Sequence, residues 1–483
     1  MADVTAKLAG KYKLKDRYAN FGHCLRAIHI DGFRGISALD LTLEHPVTAI
    51  SGLNGAGKST LGQLAICAYK KPSTSADYKR QYIRDFFPIS VADPKPIADN
   101  AKVVYTYETD DHKKPQEVTI SRVNSAWSGY KRQPERFCFY IGFTVYIPKV
   151  ERRDLSVYGG ASVTFTEKRD LDDDVVTKMA RIIGHKYDSV GFQGVSHKDR
   201  ESELGIATRL GQSYSENNMG FGEGRILYTV DLLETSPTQS LFILEEPETS
   251  LHESAQHEFA KYLLDVCNRR NHQIILSTHS SVILNALPSE SRKLLLRDSS
   301  GVDIRDRISS NQIRSVLTSG HVRALDICVE DVFAKVLLSE ILRAKRKDLL
   351  KAVAIHDIGS KDAVREAVRV LSKTGKKAIA IRDADVGQNG AEGLFSFPGS
   401  KPPEVEVFSR AEVSELIKKK YDVDIQWVLQ RDDVKDHHKI AECIAREAEA
   451  EEEVVRTLAI ERYIELIDGE FDGLINAIEK AIA

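Results

Sequence analysis

The stretch Gly52-Leu53-Asn54-Gly55-Ala56-Gly57-Lys58-Ser59 fits the pattern G-x-x-x-x-G-K-[ST]. Its chemistry is phosphate binding. The glycines let consecutive backbone N–H groups turn inward around an anion, and the N-terminus of a following helix adds positive potential. Lys58 is then the cation for the β- and γ-phosphates of ATP, and Ser59 is the hydroxyl ligand for Mg²⁺. Asn54, Gly55, Gly57 and Thr60 complete the nucleotide-binding set. The flanks agree: VTAI (47–50) is a short β-rich run, and STLGQLAICAY carries the apolar spacing of a helix.

Other residues of chemical type cluster at the ends of apolar runs. In SLFILEEPETSLHESAQHEF the run 241–244 ends at Glu245-Glu246, and in HQIILSTHSSVIL the run ends at Ser277-Thr278-His279-Ser280. NNMGFGEGRILYTVDLL places Gly220-Phe221-Gly222-Glu223 at the start of a helical pattern, whose N-terminus suits a phosphate. Later, ALDICVEDVFAKVLLSEILRA carries an apolar run (327–329) into Glu330-Asp331. AIAIRDADVG (378–387) carries another into Asp383 and Asp385. Two carboxylates one residue apart repel each other. Either a metal ion or a plain strand-end turn accounts for them at that point.

Those residues need sheets to position them. A chain of 483 residues predicts two or three domains, and 42% apolar residues are enough for real cores. The net charge of −3 gives no global nucleic-acid signature, so any DNA contact is local. The six cysteines are scattered without a C-x-x-C pair, which argues against a zinc site or a disulfide framework and fits a reducing cytoplasm. No signal peptide or run of membrane-spanning length is visible.

LRAIHIDGFRGISALDLTLEHPVTAI reads as a strand, a turn and two more strands, leading into the phosphate loop. KVVYTYETDD, QEVTISRV and RFCFYIGFTVYIPK (136–149) read as strands, and VVTKMARIIGHKYDSV (175–190) as a helix. Two basic segments with aromatic neighbours, 129–137 and 148–154, are candidates for DNA phosphates, with solvated loops the plainer reading. After SSNQIRSVLTSGHV a β–α–β–α–β alternation begins. It predicts a small parallel sheet with acids at the carboxyl ends of its strands. The last stretch, from about 411, is helical in pattern, and the adjacent His437 and His438 read as surface residues.

The layout around the phosphate loop resembles RecF/SMC-type members of the ABC ATPase superfamily. The resemblance implies that Glu245 holds Mg²⁺, that Glu246 orients or activates the attacking water, and that His279 contacts the γ-phosphate. Gly220 and Gly222 stand where the ABC signature lies and imply a homodimer or higher oligomer sharing ATP between heads. The Q-loop glutamine is not placed, and the absence of a long heptad pattern removes the coiled-coil arm of SMC proteins. EEPE is similar to ATPases of the overcoming-lysogenization-defect (OLD) group.

Glu330 followed by D-x-D at Asp383 and Asp385 resembles a TOPRIM domain, which implies Mg²⁺ or Mn²⁺ there for phosphodiester cleavage. The family's first motif has an acid four positions on, where this chain has Ala334; Glu404, Glu406 and Glu412 are open substitutes. The expected architecture is therefore α/β: an ABC-type P-loop ATPase head over 1–320 with an inserted lobe at 72–212, a TOPRIM-like parallel-sheet domain over 321–410, and a helical cap over 411–483. Two functions follow. One is an OLD-like ATPase of anti-phage defence with ATP-gated nuclease action on DNA. The other is an ATPase sensor whose degenerate TOPRIM-like domain recruits a separate nuclease subunit, similar to Septu-type and retron-associated ATPases.

Overall fold

Short apolar runs bounded by glycine, proline and polar turns become strands, and among the described residues these sort into four sheets. The computed structural model describes residues 2–483 apart from 76–77, 94, 124–125, 148–163, 198–199, 300 and 431–435. In chain order the strands of the first unit are β1 (Leu25–Phe33), β2 (Leu39–Thr42), β3 (Val47–Gly52), β4 (Ile97–Tyr107), β5 (Gln116–Val123), β6 (Ala126–Ser128), β7 (Cys138–Ile141), β8 (Thr164–Asp170), β9 (Ser189–His197), β10 (Arg200–Arg209), β11 (Gln212–Ser215), β12 (Leu241–Glu245), β13 (Gln273–Ser277), β14 (Arg292–Asp298) and β15 (Gly301–Asp306). Those of the second unit are β16 (Leu325–Val329), β17 (Val353–Asp357), β18 (Ala378–Arg382) and β19 (Leu394–Ser396). The units are Met1–Ile308 and Ser309–Ala483.

The central sheet of the first unit runs β15-β14-β3-β13-β12-β7. All its pairings are parallel except β14 with β15. Every residue of β3 and β13 is buried, and so are the first four of β12. Near-continuous apolar runs of this kind belong to parallel strands covered on both faces. The helices Lys58–Ile66 and Glu253–Arg270 pack against this sheet. A five-stranded antiparallel sheet (β2-β1-β4-β5-β6) and a four-stranded one (β11-β10-β9-β8) complete the unit.

In the second unit β17-β16-β18-β19 is parallel throughout. Its core joins Ile327, Val329 and Ile381 of the sheet to Ile444, Ile460 and Ile478 of the last helices.

Several local expectations change. The span 72–212 is not one inserted lobe: β4 pairs with β1 and extends that sheet through β5 and β6, β7 closes an edge of the central sheet, and β8 to β11 form a sheet of their own. The helix anticipated over 175–190 spans Asp173–Ile183, because Gly184 (φ 83°) caps it by donating to Ala180 O, and β9 follows. The strand read into 136–149 is only β7, which runs into a 3₁₀ turn at Phe143–Val145. The second unit begins before residue 321: the helix Ser310–Leu317 belongs to it, with Gln312 Nε2 donating to Asp348 Oδ2 at 2.6 Å. The helices after 411 are part of its core, not a separate cap.

All six cysteines are buried thiols without a disulfide. Among the described residues no helix is long and apolar enough to cross a membrane.

Candidate functional site

The phosphate loop leaves the carboxyl end of β3 and enters the helix Lys58–Ile66. At Gly52 (φ 152°) a Cβ would lie 2.6 Å from Leu295 O of β14, so only glycine lets these strands converge under the loop. Lys58 lies back on the loop: Nζ donates to Gly52 O at 2.9 Å and Leu53 O at 3.2 Å. Burial pulls its pKa down, against the opposing pull of Glu246 and Glu248. Leu53, Asn54, Gly55 and Ser59 are exposed, and Thr60 is buried beneath them.

β13 lies between β3 and β12, with Ser277 opposite both Ile50 and Glu245. The carboxyl ends of three adjacent strands therefore carry the phosphate loop, the turn Thr278-His279 and the acid pair. Glu245 Oε1 is buried without a hydrogen-bond partner among the described residues. Glu246 sits in the left-handed region (φ 40°), a conformation that costs a non-glycine residue about 1 kcal/mol or more. Its N–H donates to Ser277 O at 3.0 Å. His279 Nε2 lies 3.5 Å from Glu246 Oε1. Glu248 braces the turn, accepting from Thr278 Oγ1 at 2.8 Å and from His279 N at 2.7 Å. An exposed Ser59 hydroxyl and a partnerless Glu245 oxygen are a donor set that fits a hard divalent cation bound together with nucleotide phosphate.

Gly220 is the N-cap of the helix Phe221–Thr235 and is exposed, leaving the helix N-terminus open. The inner side of the same helix is closed, since a Cβ on Gly222 would overlap Ser250 O and one on Gly224 would enter the Tyr146 ring. From this helix Arg225, 2% exposed, donates to Glu246 O at 3.0 Å and Glu245 O at 2.5 Å. Arg225 and Glu248 were not singled out from sequence. The signal for Arg225 was an arginine inside the apolar stripe of FGEGRILYTV.

In the second unit, Glu330 follows β16 while Asp383 and Asp385 follow β18, its hydrogen-bonded neighbour. Asp383 N donates to Glu330 Oε1 at 3.4 Å. Asp383 is 6% exposed and its Oδ1 has no partner among the described residues. Burial, then Glu330, Asp331 and Asp385, push its carboxyl up to about 7. Burial also raises Glu330, with Asp331 and Asp385 adding to it. Of the three open acids, Glu404 joins this group. It is 2% exposed, raised by burial and by Asp331, and has one partnerless oxygen, Oε2.

Glu406 instead turns to the backbone N–H groups of Ser400 and Lys401, and Glu412 is exposed. Asp331 caps the helix Val332–Lys345 through Ala334 N at 2.8 Å, and Ala334 is fully buried. Two buried carboxylates with partnerless oxygens, Asp383 and Glu404, set among the half-buried Glu330 and Asp331 and the exposed Asp385, fit a divalent cation.

His438 is exposed and His437 half-buried, in line with surface positions, yet on their 3₁₀ turn the two rings lie side by side with centroids 4.0 Å apart. His438 Nδ1 reaches Asp331 Oδ2 at 2.9 Å and Glu404 Oε1 at 3.3 Å. In the basic segment 129–137, Arg136 is buried and donates to Gln239 O at 2.5 Å and Tyr69 Oη at 3.1 Å, which withdraws it from any DNA surface. Lys131 and Arg132 remain exposed. The segment 148–154 lies outside the described residues.

Comparison with known proteins agrees with the first site. Residues 163–284 match the family model of an AAA ATPase domain, and residues 27–159 that of an AAA domain. Protein ea59 of Escherichia phage lambda is 31% identical over 87 residues, 18% of this chain. The match spans only 17% of the phage protein's length. Among solved structures, the SMC head domain from Thermotoga maritima covers 58% of this chain and 98% of its own, at 15% identity and a TM-score of 0.34. The Smc head domain with an extended coiled coil derived from Pyrococcus furiosus, bound to the C-terminal domain of ScpA, covers 61% and 98%, at 11% identity and a TM-score of 0.37.

Proposed function

We propose that this chain, an ATPase of α/β fold with a parallel-sheet second unit, is OLD-like and acts in bacterial anti-phage defence, its ABC-type head using ATP to gate metal-dependent cleavage of DNA by a TOPRIM-like second unit. The observation that carries this reading is the convergence of Glu330, Asp331, Asp383 and Asp385 beside the ends of two parallel strands, with Glu404 against Asp331 and a buried and partnerless Asp383 Oδ1. Like charges are held this close in a site made for a dication.

In the head, Lys58 exchanges its two loop carbonyls for the phosphates of ATP, and Glu246 orients the attacking water. His279, beside Glu246, reads the γ-phosphate. Asn54, Gly55, Gly57 and Thr60 line the nucleotide, and Ser59 with Glu245 would hold Mg²⁺, which offsets phosphate charge. The open helix end at Gly220 and Gly222 meets the γ-phosphate of a second head in a homodimer or higher oligomer. In the second unit Glu330, Asp383 and Asp385 would hold Mg²⁺ or Mn²⁺, which supplies charge stabilisation for phosphodiester hydrolysis.

A second reading, a sensor that recruits a separate nuclease subunit, draws on the buried Ala334 standing where the family pattern has an acid. Plasmid cleavage by the purified chain with Mg²⁺ or Mn²⁺, with and without ATP, decides between them. Cleavage abolished by Asp383→Ala with ATP turnover intact supports the nuclease. ATP turnover without any cleavage by the wild type supports the sensor.

A further inference from the structure

Beside the oxygen-only group of Glu330, Asp383 and Asp385 lies a second constellation that contains nitrogen. One ligand atom from each of Glu404, His437 and His438 falls within 4.8 Å of the others. We propose that these three residues hold a divalent transition metal such as Zn²⁺, a site distinct in ligand chemistry from the neighbouring carboxylates. The proposal rests on reading this end of the second unit as cation-binding.

Three independent features carry it. The first is Glu404. A carboxylate 2% exposed with Oε2 partnerless among the described residues leaves an acceptor desolvated without compensation. Such an atom is expected where a ligand satisfies it. The second is the ring pair. The imidazoles of His437 and His438, on the 3₁₀ turn His437–Lys439, lie with centroids 4.0 Å apart, so their nitrogens are within reach of one another. Asp436 fixes that turn by accepting from His438 N at 3.1 Å. The third is the seat of His438 Nδ1 between Asp331 Oδ2 at 2.9 Å and Glu404 Oε1 at 3.3 Å.

Ligand type then sets the class of metal. Mg²⁺ prefers six oxygens and gives up water reluctantly, whereas imidazole with one carboxylate suits Zn²⁺ and its neighbours in the first transition row. Asp331 Oδ2 lies against His438 Nδ1 at 2.9 Å, so it is the nearest further oxygen to such a cation.

The test is Zn²⁺ affinity of the full-length, nucleotide-free protein, measured by chelator competition. We expect one tight site per chain that Mg²⁺ in large excess does not displace. His438→Ala and Glu404→Gln should each weaken it by at least about tenfold. His279→Ala should leave it unchanged, which separates it from the imidazole near the phosphate loop. Because the variants alter a packed corner, the wild-type Co²⁺ spectrum gives a second measurement. Intense visible bands of low coordination number support the site, and a weak spectrum like that of the hydrated ion overturns it. Equal Zn²⁺ affinity in His437→Ala, His438→Ala and Glu404→Gln also overturns it. Nuclease failure is separable: tight Zn²⁺ with no plasmid cleavage leaves the site standing and sinks the nuclease, while cleavage with unaltered Zn²⁺ affinity in the variants does the reverse.

Discussion

Arg225 donates to the backbone carbonyl of Glu246 at 3.0 Å, and through its other terminal nitrogen to that of Glu245. One guanidinium thus ties the helix opening at Gly220 to the strand end that carries both acids. The helix N-terminus proposed to meet a second head, and the acid pair, are held by a single side chain.

Arg225→Lys keeps the charge but not the planar fork, so one carbonyl loses its donor. The expected loss is about 1–3 kcal/mol of stability. ATP turnover should fall by more than ATP affinity does, since Glu246 is displaced while Lys58 is untouched. Chemical denaturation and steady-state kinetics measure the two effects separately.

Glu246→Gln should retain ATP binding and lose turnover by roughly 10²-fold or more, as expected when a group that acts in the transition state is removed. If two heads share each nucleotide, this variant accumulates the ATP-bound assembly. Light scattering should then show a mass increase with ATP that Lys58→Ala does not show. A monomer at every ATP concentration rejects shared sites.

Asp383 gives a pH signature. Its folded value of about 7 lies above the ordinary carboxylate range of an unfolded chain. Between those values the folded protein binds more protons than the unfolded one, so stability falls as pH rises and is fully reduced above about 7. Asp383→Asn should therefore stabilise the metal-free protein at pH 8, with the advantage shrinking toward pH 4. Thermal unfolding across that range checks it. Adding a divalent cation should raise the wild-type midpoint at pH 8 and narrow the gap to the variant.

Gly224→Ala tests the packing of the signature-like helix. Intrinsic helix preference favours alanine by about 1 kcal/mol. The new methyl, however, enters the ring of Tyr146, a buried residue whose hydroxyl donates to Glu216 O at 2.8 Å. Overpacking of this kind costs about 1–3 kcal/mol, so the net effect is a loss. A melting temperature at or above that of the wild type contradicts the overlap.

The phosphate loop was legible because it is contiguous: strand, loop and helix lie within about twenty residues, and each piece has its own local signal. Glu245, Glu246 and His279 were legible for the same reason, each closing an apolar run. Arg225 was not, since its partners are backbone carbonyls twenty residues away that carry no residue-type signal. In the second unit Glu330, Asp383 and Asp385 sit on hydrogen-bonded neighbouring strands, and the β–α–β pattern already aligned them. Glu404 could not be separated from Glu406 and Glu412, because burial distinguishes them and spacing does not. His437 and His438 do lie toward the surface, but that their rings come together is set by side-chain rotamers, which residue order does not reveal. The boundaries within 72–212 failed because β4 returns to β1 across some sixty residues, a pairing set by the sheet as a whole.

β13 separates β3 from β12, and the register on both sides is fixed by backbone hydrogen bonds. The gap between the phosphate cradle and the acid pair is therefore two inter-strand spacings, about 9–10 Å. That makes it a length written in main-chain geometry, insensitive to which apolar side chains fill the layer above or below. Substitutions in the core can soften the head or unfold it, but they cannot retune its reach. Only a change at the strand ends, such as a loop one residue longer or shorter, resets the ruler.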